Sequence, residues 1–597
     1  MNQQIEYDKK LKLLLEPFIK NNNYYLDPVN PAYNQEAPKI AELLEEIIVN
    51  NIEPKNIHRD IFSHFLEHSN LDFSRSLKNF SIKIILEQLN ILFSQAILSE
   101  KNENLIFDKN FLKYVFYDAN NKPIIRLDNP LKTKKIFTTN FVEKEEFINF
   151  IINPDILNIL KFVQISNINL ENFFSMIRFL LLDICIENPE KINKRDYIDF
   201  SIALGRSCFN SEFCWIETED ETKKINKLKD RLVNEIKLNN EVLPIEILTV
   251  GSYEQLFNLK EIRGYLLTKK DHSDLESIIK EQLIDFIKEE EIEKDIKKIS
   301  KFNNSISIKV KDQYENFPYP RWDFKNLSYS DNLSYFDYIA YESNSKLIKK
   351  KKIKKLLVAG CGTGRHPINI ALTDSDIEIH ALDLSLRSLS YGSRKAQEMG
   401  INNIIWLNGD INELKSYNHS FDVIESVGVL HHMQDPKLGF DILKDKLNSR
   451  GLIKLGLYSR VFRKLLQPSK DLIYKKKFTR NIDSVREARS LIMTRFTEKQ
   501  YVLPTKFMDF YSTSSFVDLL LHEQELDFEI NDLIKLYKDD FNFLGFSFTD
   551  RQKIILDKLI NKSFTNVDIG NINNLEKIEE LEKTLFSNMY QFWVQKK

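Results

Sequence analysis

A predicted strand that runs directly into three glycines constrains the fold of this chain more than any other feature. The apolar run Leu356–Ala359 is followed by Gly360, Gly362 and Gly364, and a helical segment begins near Arg365. Glycine adopts positive φ readily and allows a ligand to approach the main chain closely. The helix start behind the glycines offers unpaired N–H groups and the positive end of a dipole. The pattern therefore predicts a strand–turn–helix unit that binds a ligand at its turn.

Apolar runs and helical segments alternate after this unit, as in a parallel sheet with helices on both faces. Further predicted strands are 377–385, 403–411, 420–433, 451–459, 541–549 and 587–597. The first of these ends near Asp383, nineteen positions after Gly364. An acid there can accept hydrogen bonds from both ribose hydroxyls of a nucleoside. A glycine turn alone is a weak signal, and this acid strengthens it.

Residues 354–459 resemble the class I methyltransferases that depend on S-adenosylmethionine (SAM). The glycine turn, the acid after the second strand, the pair Gly409-Asp410 and the motif "FDVI…VLHHM.DP" occur in the order typical of that family. The resemblance implies SAM as the cofactor. It also implies a Rossmann-like seven-stranded sheet whose last strand, near residues 589–594, is antiparallel.

The resemblance implies roles for individual residues. The glycine turn would pass the methionine part of SAM, Asp383 would hold the ribose, and Asp410 would meet the adenine amino group. The residues to which cofactor binding is carried over are Gly360, Cys361, Gly362, Gly364, Asp383, Leu384, Asp410, Ile411 and Val427. Many family members have an acid two residues before the first glycine, whereas this chain has Val358.

A dinucleotide-dependent dehydrogenase is the structural alternative. It requires the spacing G-x-G-x-x-G, and this chain has Arg365 at the position of the third glycine. It also predicts nothing about the motif around the histidine pair His431-His432. The sequence therefore favours the methyltransferase.

A narrower resemblance extends beyond the sheet. The stretches "DQYENFPYPRW", "IKLGLYS", "DFYSTSSFVDLLLHEQE" and "SIALGRSCFNSEFCW" are similar to a group of bacterial methyltransferase-domain proteins. Their N-terminal halves are helical and often contain tetratricopeptide repeats, which are not evident in this sequence. The resemblance implies a fold and a cofactor, and leaves the methyl acceptor unidentified.

The sequence predicts a multidomain protein. Residues 1–300 form an all-α accessory region, 301–352 a connector, and 353–597 the α/β methyltransferase domain with a helical insertion at about 460–540. The charged run 288–299 is interpreted as the solvated face of the helix that closes the accessory region. A homo-oligomer formed through the helical region is left open.

Composition excludes several classes of protein. The 85 basic and 87 acidic residues give a net charge of −2, so nucleic acid is not expected as a partner. The apolar segment "FFSMIRFLLLDICI" is interrupted by Arg178 and Asp183, which predicts a buried helix rather than a membrane span. Four scattered cysteines and a polar N-terminus predict a cytoplasmic protein, and the spacing of His and Cys predicts no metal site.

Methyl transfer needs alignment and exclusion of water, and a base only where the acceptor must lose a proton. The candidate catalytic residues are His431 and Tyr319, and the candidate acceptor contacts are Tyr314, Arg321, Tyr511 and His522. A packing role stays open for each. The leading hypothesis is methylation of an oxygen or nitrogen on an unidentified small molecule. The alternatives are a protein acceptor, and a non-catalytic SAM-binding regulatory or scaffold protein.

The stretch "YENFPYPRW" (314–322) is stiff and aromatic. Pro318 and Pro320 fix their own φ and bias Phe317 and Tyr319 toward extended conformations. Two interpretations follow. The stretch is either a clamp that packs the helical region onto the sheet, or a lid whose tyrosines and Arg321 contact the acceptor or the SAM carboxylate.

Overall fold

The computed structural model describes residues 141–268, 273–299, 304–322, 334–343, 352–495 and 498–548, followed by 552–553, 555–556, 559, 572–583, 585–586 and 589–597. These residues form two compact units. The helical unit contains the described residues up to Ile287 and from Phe478 to Phe516. The sheet unit contains those from Lys288 to Lys477 and from Val517 to Lys597. The predicted helical region before residue 141 lies outside the described residues.

The helical unit is built of α-helices, as the sequence predicts. They are Glu145–Ile151, Pro154–Phe162, Ile168–Glu187, Arg195–Asn210, Glu219–Lys237, Pro244–Gly251, Lys260–Thr268, Glu276–Ile279 and Ile482–Met493. Two more, Asp285–Asp295 and Thr513–Leu520, run across the division between the units along the chain. The helix Ile168–Glu187 contains the apolar segment around Arg178 and is buried along most of its length, which confirms the prediction of a buried helix.

Arg178 is buried within this unit because its charge has several partners. Its Nη2 donates to the main-chain oxygen of Ile216 at 3.1 Å and lies 3.6 Å from Glu221 Oε1. Its guanidinium carbon lies 4.1 Å from the ring centre of Tyr253. A buried cation needs such partners, since its desolvation is otherwise very costly.

The middle of the predicted insertion belongs to the helical unit. Arg489, in the helix Ile482–Met493, pairs with Glu171 through two contacts of 2.6 and 3.0 Å, and both side chains are fully buried. Its Nε donates to the main-chain oxygen of Phe510 at 2.7 Å. This bidentate pair fixes residues far apart in sequence within one core.

The sheet unit contains an eight-stranded sheet of order β1-β4-β3-β2-β5-β6-β8-β7. The strands are β1 (Lys297–Lys298), β2 (Lys355–Ala359), β3 (Glu378–Asp383), β4 (Ile404–Asn408), β5 (Phe421–Val427), β6 (Leu447–Tyr458), β7 (Phe541–Phe546) and β8 (Met589–Lys596). β8 pairs antiparallel with both β6 and β7, and the other pairs are parallel. The seven predicted strands and the antiparallel last strand are confirmed.

The eighth strand corrects one prediction. The charged run 288–299 is not helical throughout, because the helix ends at Asp295 and β1 follows it. Lys297 and Lys298 are exposed and lie opposite Leu407 and Asn408 of β4. An edge strand can pair through its main chain alone, so it needs no apolar pattern that a sequence would reveal.

Helices cover both faces of the sheet, whose side chains alternate between two cores. Leu357 and Ile424 lie in one core, and Leu356 and Val423 lie in the other. The remaining helices of this unit are Ser305–Asn316, Tyr335–Ser343, Arg365–Thr373, Leu386–Glu398, Pro436–Asp445, Arg460–Lys475, Ile530–Tyr537 and Ile572–Leu581. The carboxyl ends of the parallel strands therefore meet at one edge, where ligands bind in such folds.

Among the described residues, no helix combines the length and the apolar character that crossing a membrane requires.

Candidate functional site

The glycine loop, Gly360–Gly364, lies at the carboxyl end of β2. Its three glycines have φ of 80°, 53° and 81°. The N–H groups of Gly360 and Cys361 donate to the main-chain oxygen of Leu382, at 2.8 and 2.9 Å, at the end of β3. The helix Arg365–Thr373 begins directly after the loop. Positive φ at each glycine is therefore part of the turn that joins strand to helix.

Asp383 is held beside this loop. Its Oδ2 accepts from Gly362 N at 2.8 Å and its Oδ1 accepts from Ser385 N at 2.9 Å. Burial raises the pKa of Asp383 to about 6, although main-chain donors, those of Ser385 and Gly362 before that of Leu384, oppose that rise. A carboxylate has about four lone-pair sites. The carboxylate is thus fixed in position and keeps acceptor capacity for a ligand.

The acceptor oxygens of Asp383 fit the nucleoside end of SAM. The ribose of that cofactor presents two hydroxyl donors, and the ionised Asp383 is an acceptor-only group. The glycines of the loop lie too close to their neighbours for side chains to fit. A Cβ at Gly360 would lie 2.2 Å from Val429 Cγ2, and one at Gly364 would lie 2.5 Å from the Trp406 ring. The loop therefore packs closely against β4 and the segment after β5.

Four other candidate cofactor residues lie at the ends of strands next to this loop. Asp410 is buried after β4, and its Oδ1 accepts from Asn412 N at 2.9 Å. Ile411 is buried beside it. Leu384 and Val427 are half-buried at the ends of β3 and β5. The predicted cofactor residues thus share the carboxyl edge of the sheet.

Residues 319–322, called the strap below, bind the glycine loop. Thr363 Oγ1 donates to the main-chain oxygen of Pro320, and Trp322 Nε1 donates to the main-chain oxygen of Thr363 at 3.2 Å. The hydroxyl of Tyr391 donates to the main-chain oxygen of Trp322. A Cβ at Gly362 would lie 2.5 Å from the main-chain oxygen of Tyr319. The strap holds the loop through its backbone as well as its aromatic ring.

Glu315, which no sequence motif marks, binds the start of the helix that follows Asp383. Its carboxylate accepts from Leu386 N at 2.9 Å and Arg387 N at 3.1 Å, at the start of the helix Leu386–Glu398. The main-chain oxygen of Tyr314 accepts from Ser385 Oγ at 3.1 Å. A carboxylate is favoured at a helix N-terminus. The partners are some seventy residues apart in the chain, so the sequence gives no local signal of this contact.

Tyr314 joins Asp383's surroundings to a second group of side chains. Its hydroxyl donates to Asp518 Oδ1 at 2.7 Å and lies 3.1 Å from His522 Nε2. The ring of His522 stacks on that of His432, with centres 3.6 Å apart. Tyr314, His432, Asp518 and His522 are called the histidine–aspartate cluster below. Two of the predicted acceptor contacts, Tyr314 and His522, thus lie in direct contact.

His431 is enclosed, in contrast to what a catalytic role requires. Its ring is fully buried and stacks on Tyr458 with centres 3.7 Å apart. Neither ring nitrogen has a hydrogen-bond partner among the described residues. Burial and the adjacent His432 hold its pKa well below the usual range, which the main chain of Gly456 opposes weakly. In this conformation the ring of His431 packs against Tyr458.

His432 has a different environment. Its Nδ1 donates to the main-chain oxygen of Gln524 at 2.7 Å, which leaves Nε2 with the lone pair. Burial lowers its pKa to about 4. Both rings are buried. The sequence ranks His432 behind His431, because adjacency alone does not show which of the two rings makes hydrogen bonds.

The remaining two predicted acceptor residues are not part of the cluster. Arg321 is half-buried in the strap. Tyr511 belongs to the helical unit, where its hydroxyl donates to the main-chain oxygen of Thr505 at 2.9 Å. Its own main-chain oxygen accepts from Cys214 Sγ at 3.3 Å. These contacts give Tyr511 a packing role.

Two groups of side chains in the described part of the chain bring three ligand atoms within 4.8 Å of one another: His432, Asp518 and His522, and Glu378, His380 and His419. In the first, the imidazole planes are 16° apart and stacked. Their in-plane lone pairs run side by side, so one ion cannot lie in both planes. In the second, both nitrogens of His380 are engaged, with Tyr417 and Glu378 at 2.8 Å. Neither arrangement is that of a ready metal site.

Residues 350–491 match the family model described as a methyltransferase domain. An uncharacterized protein of Synechococcus sp. is 27% identical over 224 residues, which are 35% of this chain and 52% of that protein. The chain thus spans about half the length of the curated relative that it matches.

Two solved structures illustrate the structural likeness. PKMT2 from Rickettsia typhi is 17% identical, covering 46% of this chain and 54% of its own, with a TM-score of 0.35. The N-methyltransferase NodS from Bradyrhizobium japonicum is 9% identical, covering 49% of this chain and 99% of its own, with a TM-score of 0.24. The family match bears on function more directly, because it contains the glycine loop and Asp383. Residues 350–491 therefore carry a methyltransferase domain, and SAM is the cofactor with which such a domain works.

Proposed function

We propose that the whole chain is a SAM-dependent methyltransferase whose acceptor presents an oxygen or nitrogen nucleophile, with a small molecule favoured over a protein. One observation carries the proposal. Asp383 is hydrogen-bonded to the glycine loop through Gly362 N, and a group of ionisable side chains begins at Tyr314, whose main-chain oxygen is bonded to Ser385. We assign the cofactor to the loop and Asp383, and the acceptor to the neighbouring group of side chains.

The bound cofactor supplies a methyl group on a sulfonium, whose leaving group is a neutral thioether. The chain's own residues then have three tasks: to hold, to orient and to exclude water. Asp383 accepts from the ribose hydroxyls, while Gly362 N and Ser385 N fix its orientation. The strap covers the outer side of the glycine loop through Thr363.

The carboxylate of Asp383 must be ionised for this task. Its pKa of about 6 leaves it charged at neutral pH and protonated in mild acid. We therefore expect SAM binding to weaken as the pH falls through 6, since a protonated carboxyl loses acceptor capacity.

A protein acceptor is the second candidate, since a large helical region is an unusual accessory for an enzyme that acts on a metabolite. A non-catalytic SAM-binding scaffold is the third. Incubation of the full chain with methyl-labelled SAM and a lysate of the source cells distinguishes them. Label in the small-molecule fraction, with S-adenosylhomocysteine formed, supports the proposal. Label in protein bands would replace the small molecule by a protein, and SAM binding without any transfer would favour the scaffold.

A further inference from the structure

A chain of hydrogen bonds joins the histidine–aspartate cluster to Asp383. The main-chain oxygen of Tyr314 accepts from Ser385 Oγ at 3.1 Å, and Ser385 N donates to Asp383 at 2.9 Å. The hydroxyl of the same tyrosine donates to Asp518 at 2.7 Å. Asp383 and the cluster are therefore connected through Ser385 and Tyr314.

The hydrogen bonds of the cluster assign its protons. His522 Nδ1 accepts from Gln524 N at 3.2 Å, so the neutral ring carries its proton on Nε2, which faces the hydroxyl of Tyr314 at 3.1 Å. That hydroxyl donates in turn to Asp518. His432 Nδ1 donates to the main-chain oxygen of Gln524. His432 Nε2 is therefore a lone-pair acceptor.

The charges around the cluster determine what it can receive. Asp518 Oδ2 accepts from the hydroxyl of Tyr458 at 3.4 Å. The nearby cations Arg463 and Lys470 both pair with the one carboxylate of Glu525. The cluster thus offers a carboxylate and an imidazole lone pair, both of which accept hydrogen bonds.

We propose that this cluster is the acceptor site, that it binds the nucleophile as a neutral hydroxyl or amine, and that His432 Nε2 takes up the proton. The inference rests on the proposed function and deepens it. The nucleophile's bond to hydrogen breaks as its new bond to the methyl carbon forms. The pair of electrons of the carbon–sulfur bond stays on sulfur, which leaves as the thioether.

The surroundings of His432 suit this step. Its Nδ1–H remains bonded to the oxygen of Gln524, which stabilises the imidazolium that forms, as does the neighbouring Asp518. The low pKa of His432 keeps the ring neutral before the reaction. A base with a pKa of about 4 is weak, so the step depends on the carboxylate of Asp518 to stabilise the imidazolium as it forms. His432 is then a catalytic residue, and Tyr314 and His522 position the carboxylate.

The proposed step excludes one class of acceptor. An ionised carboxylate carries no proton for His432 Nε2 to take up. The product is therefore an ether or an N-methyl amine and not a methyl ester. Esters release methanol in mild alkali, whereas ethers and N-methyl amines do not.

The test compares full-length His432→Gln, Asp518→Asn and Tyr314→Phe with the wild type, using methyl-labelled SAM and the small-molecule fraction of a source-cell lysate. His419→Gln is the matched control, since that histidine stacks on Tyr417 at the opposite edge of the sheet. We expect kcat to fall about 100-fold or more in His432→Gln, the usual weight of a general base, with SAM affinity retained and the control unaffected.

Several outcomes would overturn the inference while leaving the proposed function standing. One is turnover within about threefold of wild type in His432→Gln. Another is labelled product that releases volatile methanol in alkali. If His432→Gln does not fold by its melting curve, the isosteric Asp518→Asn and Tyr314→Phe decide, and unchanged turnover in both overturns the inference. Failure of the wild type to bind SAM would overturn the proposed function itself and the inference with it.

Discussion

His431 and His432 are neighbours in the chain, but their ring nitrogens have different surroundings. The ring of His431 stacks on Tyr458, and neither of its nitrogens has a hydrogen-bond partner among the described residues. His432 Nδ1 donates to the main-chain oxygen of Gln524, and Nε2 keeps its lone pair. Both are neutral in the folded protein, because burial opposes their charged forms. At the residue scale, the two histidines are therefore neutral, and His432 offers a lone pair near the carboxylate of Asp518.

Burial of these histidines makes stability depend on pH. The pKa of His432 is lowered from 6.5 to about 4, so the unfolded chain takes up this proton at higher pH than the folded chain does. Its contribution to stability is full above pH 6.5 and is lost as the pH falls toward 4. We expect a loss of about 3 kcal/mol from this residue across that range.

The measurement is chemical denaturation of wild type and His432→Gln at pH 7 and at pH 4.5. The wild type should lose more free energy of unfolding than the variant does. An equal loss in both proteins would mean that His432 titrates alike in the folded and unfolded states.

Much of the site at this scale can be predicted from sequence. The three glycines, Asp383 and Asp410 lie in short motifs whose spacing reflects a strand, a turn and a helix start. Glu315 and Asp518 could not be predicted in the same way. Their partners, at Leu386 and Tyr314, are distant in sequence, and only the fold brings them together.

The strap, residues 319–322, holds the glycine loop from a segment outside the strand–turn–helix unit. The sequence is compatible with either a clamp or a lid at this segment. Within the sheet unit the strap is bonded to the loop through Thr363 and to the helix Leu386–Glu398 through Tyr391. These contacts are those of a clamp on the loop itself. The two prolines predict a stiff segment, but the sequence does not show that this segment binds the glycine loop.

Gly362→Ala tests whether the strap and the loop depend on each other. Its φ is +53° and a Cβ would lie 2.5 Å from the main-chain oxygen of Tyr319, so the variant must displace the strap. Gly400→Ala is the matched control, because Gly400 has φ of +69° and nothing within 4 Å of the added Cβ.

Calorimetric melting and SAM titration of both variants measure the difference. The control should lose only the backbone term of about 1–2 kcal/mol and keep its SAM affinity. Gly362→Ala should lose more stability and bind SAM more weakly. Equal effects in the two variants would show that the close contact with Tyr319 is unimportant.

A strand can be predicted from sequence when it buries apolar side chains. Seven strands carry runs of aliphatic or aromatic residues, and the sequence predicts all of them. The missed strand, β1, consists of two exposed lysines that pair through their main chain. An element that buries no side chain leaves no hydrophobic pattern to detect.

At the scale of the whole molecule, the chain folds as two units whose segments are not contiguous. Residues from Phe478 to Phe516 lie between two segments of the sheet unit in sequence and yet belong to the helical unit. The sequence predicts an insertion at 460–540 but not this assignment. The buried pair of Arg489 with Glu171 is its clearest cause, because it couples residues 318 positions apart.

Arg489→Met should destabilise the helical unit by about 3–5 kcal/mol, since it leaves Glu171 charged and unpaired in the core. The double variant Arg489→Met with Glu171→Leu should recover part of that loss, because the uncompensated charge is removed. Arg195→Ala is the surface control, and its exposed pair with Asp199 should be worth less than about 1 kcal/mol. Denaturant unfolding of the full chain measures all three, and a mild Arg489→Met would contradict this account of the core.

Titration of the full chain with SAM tests the central claim, that the glycine loop and Asp383 bind this cofactor. The compared variants are Asp383→Ala and, as a control, Asp376→Ala, which removes an exposed acid paired with Lys352 at 3.5 Å. The wild type and the control should bind alike. Asp383→Ala should bind at least about 30-fold more weakly, because hydrogen bonds to a charged group are lost. Unchanged affinity in a folded Asp383→Ala protein would contradict the claim.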